Sequence, residues 1–215
     1  MRRSAAVVLL TALVGFGLAS PAAAVPLNFT CISGNNAASC LAGELQLLVD
    51  VTVDVGVNFY VTNTGSVQSS IADVYVDDGS GLLLLPVTLA GAPGVFFAPG
   101  TNPANLPGGN GIGFSTDYGY GAIASNGAGV PANGVNPGEW LLVSFSMAPG
   151  TSLEAILAAM ASDNLRLGLH VQGFPGGYSE SFVTTVITSV PEPATLLLLG
   201  VGLVGAHFVI RKKRR

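Results

Sequence analysis

The sequence predicts an all-β protein: an antiparallel β-sandwich ectodomain with one short helix, preceded by a signal peptide and followed by a single transmembrane helix. Three observations predict it. Apolar and polar residues alternate with period two over several stretches rich in β-branched side chains, the pattern of half-buried strands. The chain has 29 Gly and 13 Pro among 215 residues, a composition that favours short strands joined by many turns. Strands do not alternate with helices, so a parallel βαβ architecture is excluded.

Residues 1–24 read as an export signal. Met1-Arg2-Arg3 is a short basic start, and Ala5 to Ala19 is an apolar run. Pro21 breaks it before the small-residue cleavage pattern Ala22-Ala23-Ala24. Cleavage is expected between Ala24 and Val25. The run is short for a bilayer span, which needs about 20 residues.

Residues 25–189 form the expected secreted β-sandwich domain. In an exported chain the pair Cys31 and Cys40 predicts a disulfide, worth about 2–3 kcal/mol for so short a loop. From Leu47 to Val61 every odd position is apolar, which is long for one strand. A hairpin or bulge is expected near Asp54-Val55-Gly56. Asn63-Thr64-Gly65 reads as a turn, and Ile71 to Asp77 as a strand. Asp78-Gly79-Ser80-Gly81 turns into a strand from Leu82 to Leu89, where Pro86 marks an edge or a bulge. Gly91 to Gly138 is dense in Gly, Pro and Asn and predicts long loops with short strands. Glu139 to Met147 returns to clear alternation. Thr151-Ser152-Leu153-Glu154 predicts a capping box with Thr151 at the N-cap, opening the one helix, to Ala161. Strands are expected at Leu165 to Gln172 and Ser181 to Thr188. No fixed-period repeat is present.

Charge is segregated. Seven of the eight Arg and Lys residues lie at the chain ends, and between Val25 and Val190 the one Arg or Lys is Arg166. Eleven acids share that span, giving a net charge of −10. Such a domain repels phosphate backbones, which excludes nucleic acid as a partner.

The chemical inventory is small. Gly177-Tyr178-Ser179-Glu180-Ser181 misses the nucleophile-elbow pattern by its last Gly, and His170 is the single base available to such a serine. No pair of carboxylates stands out for glycoside hydrolysis. Asp73, Asp77 and Asp78 beside Gly79 are calcium candidates, although Tyr75 and Leu84 occupy positions where an EF-hand needs acids. No phosphate-binding loop or four-ligand metal pattern is present, so no cofactor and no catalytic residue is expected. Trp140, Tyr60, Tyr75, Tyr118, Tyr120 and Tyr178 are the aromatics that could form a sugar platform. Thr184, Thr185 and Thr188 are too few for a regular ice-binding row.

Residues 190–215 complete the organisation. Val190-Pro191-Glu192-Pro193 cannot continue a strand or a helix. Ala194 to Ile210 is an apolar run at the lower limit of a membrane span, and Arg211, Lys212, Lys213, Arg214 and Arg215 form a basic block. The positive-inside rule keeps that block cytoplasmic and the bulk of the chain outside. Motif, apolar run and basic tail in this order resemble the PEP-CTERM sorting family, whose anchor region is also catalogued as the C-terminal domain of certain ice-binding proteins. The resemblance implies an exosortase, a membrane-embedded cysteine protease and transpeptidase, as a transient processing partner acting near Pro191-Glu192-Pro193. It also implies anchorage in the inner membrane, then surface or matrix location in exopolysaccharide-producing Gram-negative bacteria. The stretches Ser69 to Tyr75, Leu165 to Phe174 and Ser179 to Phe182 resemble exported domains that precede such anchors, which implies no activity. The reading is an exported, non-enzymatic cell-surface or matrix protein associated with exopolysaccharide. The alternative is an ordinary tail-anchored envelope protein whose sandwich binds calcium, glycan or ice.

Overall fold

The computed structural model describes residues 24–123 and 130–185. The signal segment before Ala24, the motif Val190 to Pro193, the apolar run and the basic tail from Arg211 to Arg215 lie outside the described residues. No helix among the described residues is long and apolar enough to cross a membrane.

Among the described residues ten strands are present: β1 (Val25–Cys31), β2 (Leu47–Val53), β3 (Val57–Asn63), β4 (Ser70–Asp77), β5 (Leu83–Gly91), β6 (Phe97–Pro99), β7 (Tyr118–Ala122), β8 (Trp140–Met147), β9 (Arg166–Phe174) and β10 (Tyr178–Thr185). The helices are α1 (Ala37–Gln46), α2 (Val130–Asn133) and α3 (Leu153–Ala161). The strand pairings are antiparallel and build one sheet, in the order β5-β8-β3-β2-β1-β10-β9-β4-β7-β6.

The antiparallel all-β class holds, but the two separate sheets of a sandwich do not. The reason is β1, which pairs with β2 through Leu27↔Val49 and with β10 through Phe29↔Thr184. Without β1 the order would split into two sheets, the expected sandwich. With it, the halves join and the sheet curls towards a barrel. The strands next to the two ends come into contact. The rings of Tyr118 and Tyr120 on β7 lie 5.1 and 6.1 Å from that of Phe145 on β8. The Tyr118 hydroxyl donates to the Leu83 carbonyl of β5 at 3.3 Å. Inward-facing alternate residues such as Val49, Val51, Phe59 and Val61 fill the interior completely buried.

The expected break at Asp54-Val55-Gly56 is the β2–β3 hairpin, where the Gly56 N–H donates to the Asp54 carboxylate. β5 is an edge strand with a register shift between Leu84 and Val87, as Pro86 foretold, and the Ser146 hydroxyl donates to the freed Pro86 carbonyl. α3 forms as expected, but its cap is Ser152, whose hydroxyl accepts from the Ala155 N–H at 3.3 Å. Thr151 instead donates its hydroxyl to the Ala148 carbonyl. The sequence predicted one helix, α3, and α1 is a further one. Asn36 caps it by accepting from the Ser39 N–H at 3.0 Å.

The outer face of β4, β9 and β10 carries a second, smaller apolar cluster of Tyr75, Leu106, Phe114 and Val183. The segment 100–116 supplies Leu106 and Phe114 and lies across the face. It can do so because residue 168 is glycine: a Cβ there would sit 2.5 Å from Leu106 Cδ2.

Candidate functional site

Antiparallel register sets β4 and β9 side by side, with Asp73 opposite His170, Tyr75 opposite Gly168 and Asp77 opposite Arg166. The alternation Arg166, Gly168, His170, Gln172 therefore defines one outward face, and the segment 100–116 covers most of it.

Arg166 is held at one end of that face. Its Nη2 donates to Asp77 Oδ2 at 2.5 Å and to the Gly113 carbonyl at 2.7 Å, and its Nη1 donates to the Ile112 carbonyl at 2.9 Å. Its guanidinium carbon lies 5.2 Å from the centre of the Phe114 ring, within cation–π range. The one Arg or Lys of residues 25–190 thus ties the covering segment to the sheet. In the middle of the face the Tyr75 hydroxyl donates to the Pro103 carbonyl at 2.8 Å. Burial, helped by the Asp73 charge, pushes that phenol well above its ordinary range.

At the other end the cover stops. Asp73, only 4% exposed, faces His170 with Oδ2 3.2 Å from Nδ1, and its Oδ1 accepts from the Asn102 N–H at 3.2 Å. The Gln172 amide nitrogen lies 3.5 Å from His170 Nδ1. A pocket of about 530 Å³ opens here, lined by Asp73, Thr101, Asn102 and Gln172 with glycine and alanine backbone between them.

A third polar cluster joins β10 to the β1–α1 connection. Glu180 is 1% exposed. Its carboxylate accepts from the Asn36 N–H at 2.6 Å, the Asn35 N–H at 3.0 Å and the Ser33 hydroxyl at 2.5 Å. Beside it Cys31 and Cys40 form a disulfide. Glu180 and these sulfurs are the one group of three metal-type donors that converge among the described residues. Both sulfurs are bonded to each other, so neither offers a thiolate.

The other sequence candidates separate. Asp77 serves Arg166 and accepts from the Ser115 N–H, whereas Asp78 accepts from Ser80 and from the Leu83 N–H. With Asp73 paired to His170, the three acids do not converge as a calcium site. Ser181, rather than Ser179, lies opposite His170 across β9 and β10. Its hydroxyl is buried without a hydrogen-bond partner, so the nucleophile–base contact of a triad is absent. Tyr75 and Tyr120 are buried and Tyr118 is half-buried, while Tyr60 and Trp140 stack on each other at 5.2 Å. The Thr184 hydroxyl accepts from the Leu167 N–H and does not face solvent.

The pairing Asn28↔Thr185 places the middle of β1 beside the end of β10, so both ends of the domain leave from neighbouring strands. The C-terminal region beyond Thr185 can be compared with known families, and residues 189–215 match the PEP-CTERM protein-sorting motif. The chain carries a PEP-CTERM sorting signal. That signal indicates exosortase-dependent sorting of an exported protein, as the order of motif, apolar run and basic block implied. The PEP-CTERM match is confined to this C-terminal region. Comparison of the chain with curated proteins and with solved structures found no match.

The polar pocket beside Asp73 was not singled out from the sequence. The available signal was the alternation of His170 and Gln172 on one strand face. Their partners Asp73, Thr101 and Asn102 come from segments far away in sequence.

Proposed function

We propose that this is an exported, non-enzymatic surface or matrix protein, whose β-domain is displayed as a binding module and associates with extracellular polysaccharide. The observation that carries the proposal is the PEP-CTERM signal at residues 189–215, which begins a few residues beyond the end of β10. The signal peptide ending at Ala24 would release β1 at the mature N-terminus, so export and folding share one boundary. The inner membrane is the transient anchor, and the surface or matrix is the destination after processing. The non-enzymatic reading is supported by the Ser181 hydroxyl making no hydrogen bond to His170 opposite it and by the engagement of each Asp discussed above in a structural bond.

Replacing Pro191, Glu192 and Pro193 together with Ala tests the sorting step. The expected result is an uncut, larger species retained in the membrane fraction. An unchanged mass and an unchanged distribution between membrane and surface fractions would favour the plain tail-anchored reading.

A further inference from the structure

We infer that the pocket beside Asp73 is a binding site for an uncharged, hydroxyl-rich ligand, a chain of neutral sugars. This deepens the reading of the domain as a displayed binding module and rests on it. The pocket, about 530 Å³, has the size of sites that enclose small ligands, and its polar side chains converge from three segments. Asp73 supplies a buried carboxylate from β4, and Gln172 an amide from β9. Thr101 and Asn102 add a hydroxyl and an amide at the rim. A carboxylate accepts hydrogen bonds from sugar hydroxyls, while amides both donate and accept. The set therefore matches a ligand that presents many hydroxyls in a row.

Two further observations narrow the class. Asp73 is held in place rather than neutralised by an arginine: His170 Nδ1 orients one oxygen and the Asn102 N–H the other. Approach to it is kept open by glycine at 121, because a Cβ there would lie 2.9 Å from Asp73 Oδ1 and 2.7 Å from the Gly100 carbonyl. The second observation is the charge. The one Arg or Lys between Val25 and Val190 is Arg166, which donates to Asp77, Ile112 and Gly113. A uronate or sulfated glycan would meet a carboxylate with no Arg or Lys free to balance it, an unfavourable pairing in a partly desolvated pocket. Neutral sugars carry no such penalty.

The test is calorimetric titration of the full chain in detergent with three probes: a glucose oligosaccharide, an N-acetylglucosamine oligosaccharide, and an oligogalacturonate as the anionic control. A neutral oligosaccharide is expected to bind and the galacturonate to give no heat. Gln172→Ala and Thr101→Val, both half-buried positions at the rim, are each expected to weaken binding about tenfold, the scale of one or two lost hydrogen bonds. Circular dichroism checks that both variants are folded. The inference is overturned if no neutral probe binds, if the galacturonate binds equally well, or if both variants bind like the native chain. Absent binding with intact exosortase processing would remove this site and leave the sorting account standing. Loss of exosortase dependence would remove the sorting account itself.

Discussion

Two regions of the barrel are built differently. The strands β1, β10, β9 and β4 are tied by buried carboxylates that each have polar partners: Asp77 with Arg166, Asp73 with the His170 ring nitrogen, and Glu180 with the backbone of Asn35 and Asn36. The seam formed by β5, β6 and β7 is almost uncharged, since Asp117 is the sole charged residue between Gly79 and Gly138. It is held by ring contacts to Phe145 and by one tyrosine hydroxyl on Leu83. Specific polar bonds fix the half from which both chain ends leave. Apolar contact closes the half that faces away from them. Losing one partner of a buried charge pair strands the other, whereas losing an exposed leucine strands nothing. The two regions should therefore respond to substitution on different scales.

Arg166→Ala is expected to have the largest effect, about 3–5 kcal/mol, because Asp77 is left buried and unpaired. Urea denaturation measures it, and the double change Arg166→Met with Asp77→Leu should recover most of the loss. Glu180→Ala should come next, on the order of 2–3 kcal/mol, since the N–H groups of Asn35 and Asn36 lose their acceptor. If either change costs as little as a surface substitution, the contrast between the regions fails.

The seam makes its own prediction at alkaline pH. Burial pushes the Tyr120 phenol up from 10.0 to about 12. The protein favours the neutral phenol, so this stabilisation is complete below the unfolded value and is lost as pH rises through the folded one. Stability should hold up to about pH 10 and fall between there and pH 12, with Tyr120→Phe making the fall shallower. Tyr75 and Tyr118, also raised, keep part of the slope. The smallest effect is expected for Leu85→Ser on the edge strand, where the side chain is 66% exposed. Thermal or urea denaturation should find a change within about 0.5 kcal/mol.

Much of the strand layout was legible in the sequence because it follows from period-two alternation. The β2–β3 hairpin, the bulge at Pro86, β8 and β9 are local patterns whose signals lie within the elements themselves. β1 was not legible. Val25-Pro26-Leu27-Asn28-Phe29 is a short piece with a proline, and its role as the link between β2 and β10 depends on two partners distant in sequence. That one strand separates a sandwich from a rolled single sheet. The cap of α3 shows the same limit at close range, because Thr151 and Ser152 both fit the pattern and backbone geometry decides between them. Of the pocket, His170 and Gln172 were visible as one face of a strand, but Asp73 joins them through pairing that alternation alone does not specify.

The most direct test of the sorting account is the intact mass of the native protein from cells with and without an exosortase. The account predicts a chain that begins at Val25 in both. Where exosortase is present, the apolar run and the basic tail should be missing. A mass that retains residues 194–215 in both strains would contradict it, and would make Pro191-Glu192-Pro193 an ordinary linker before a tail anchor.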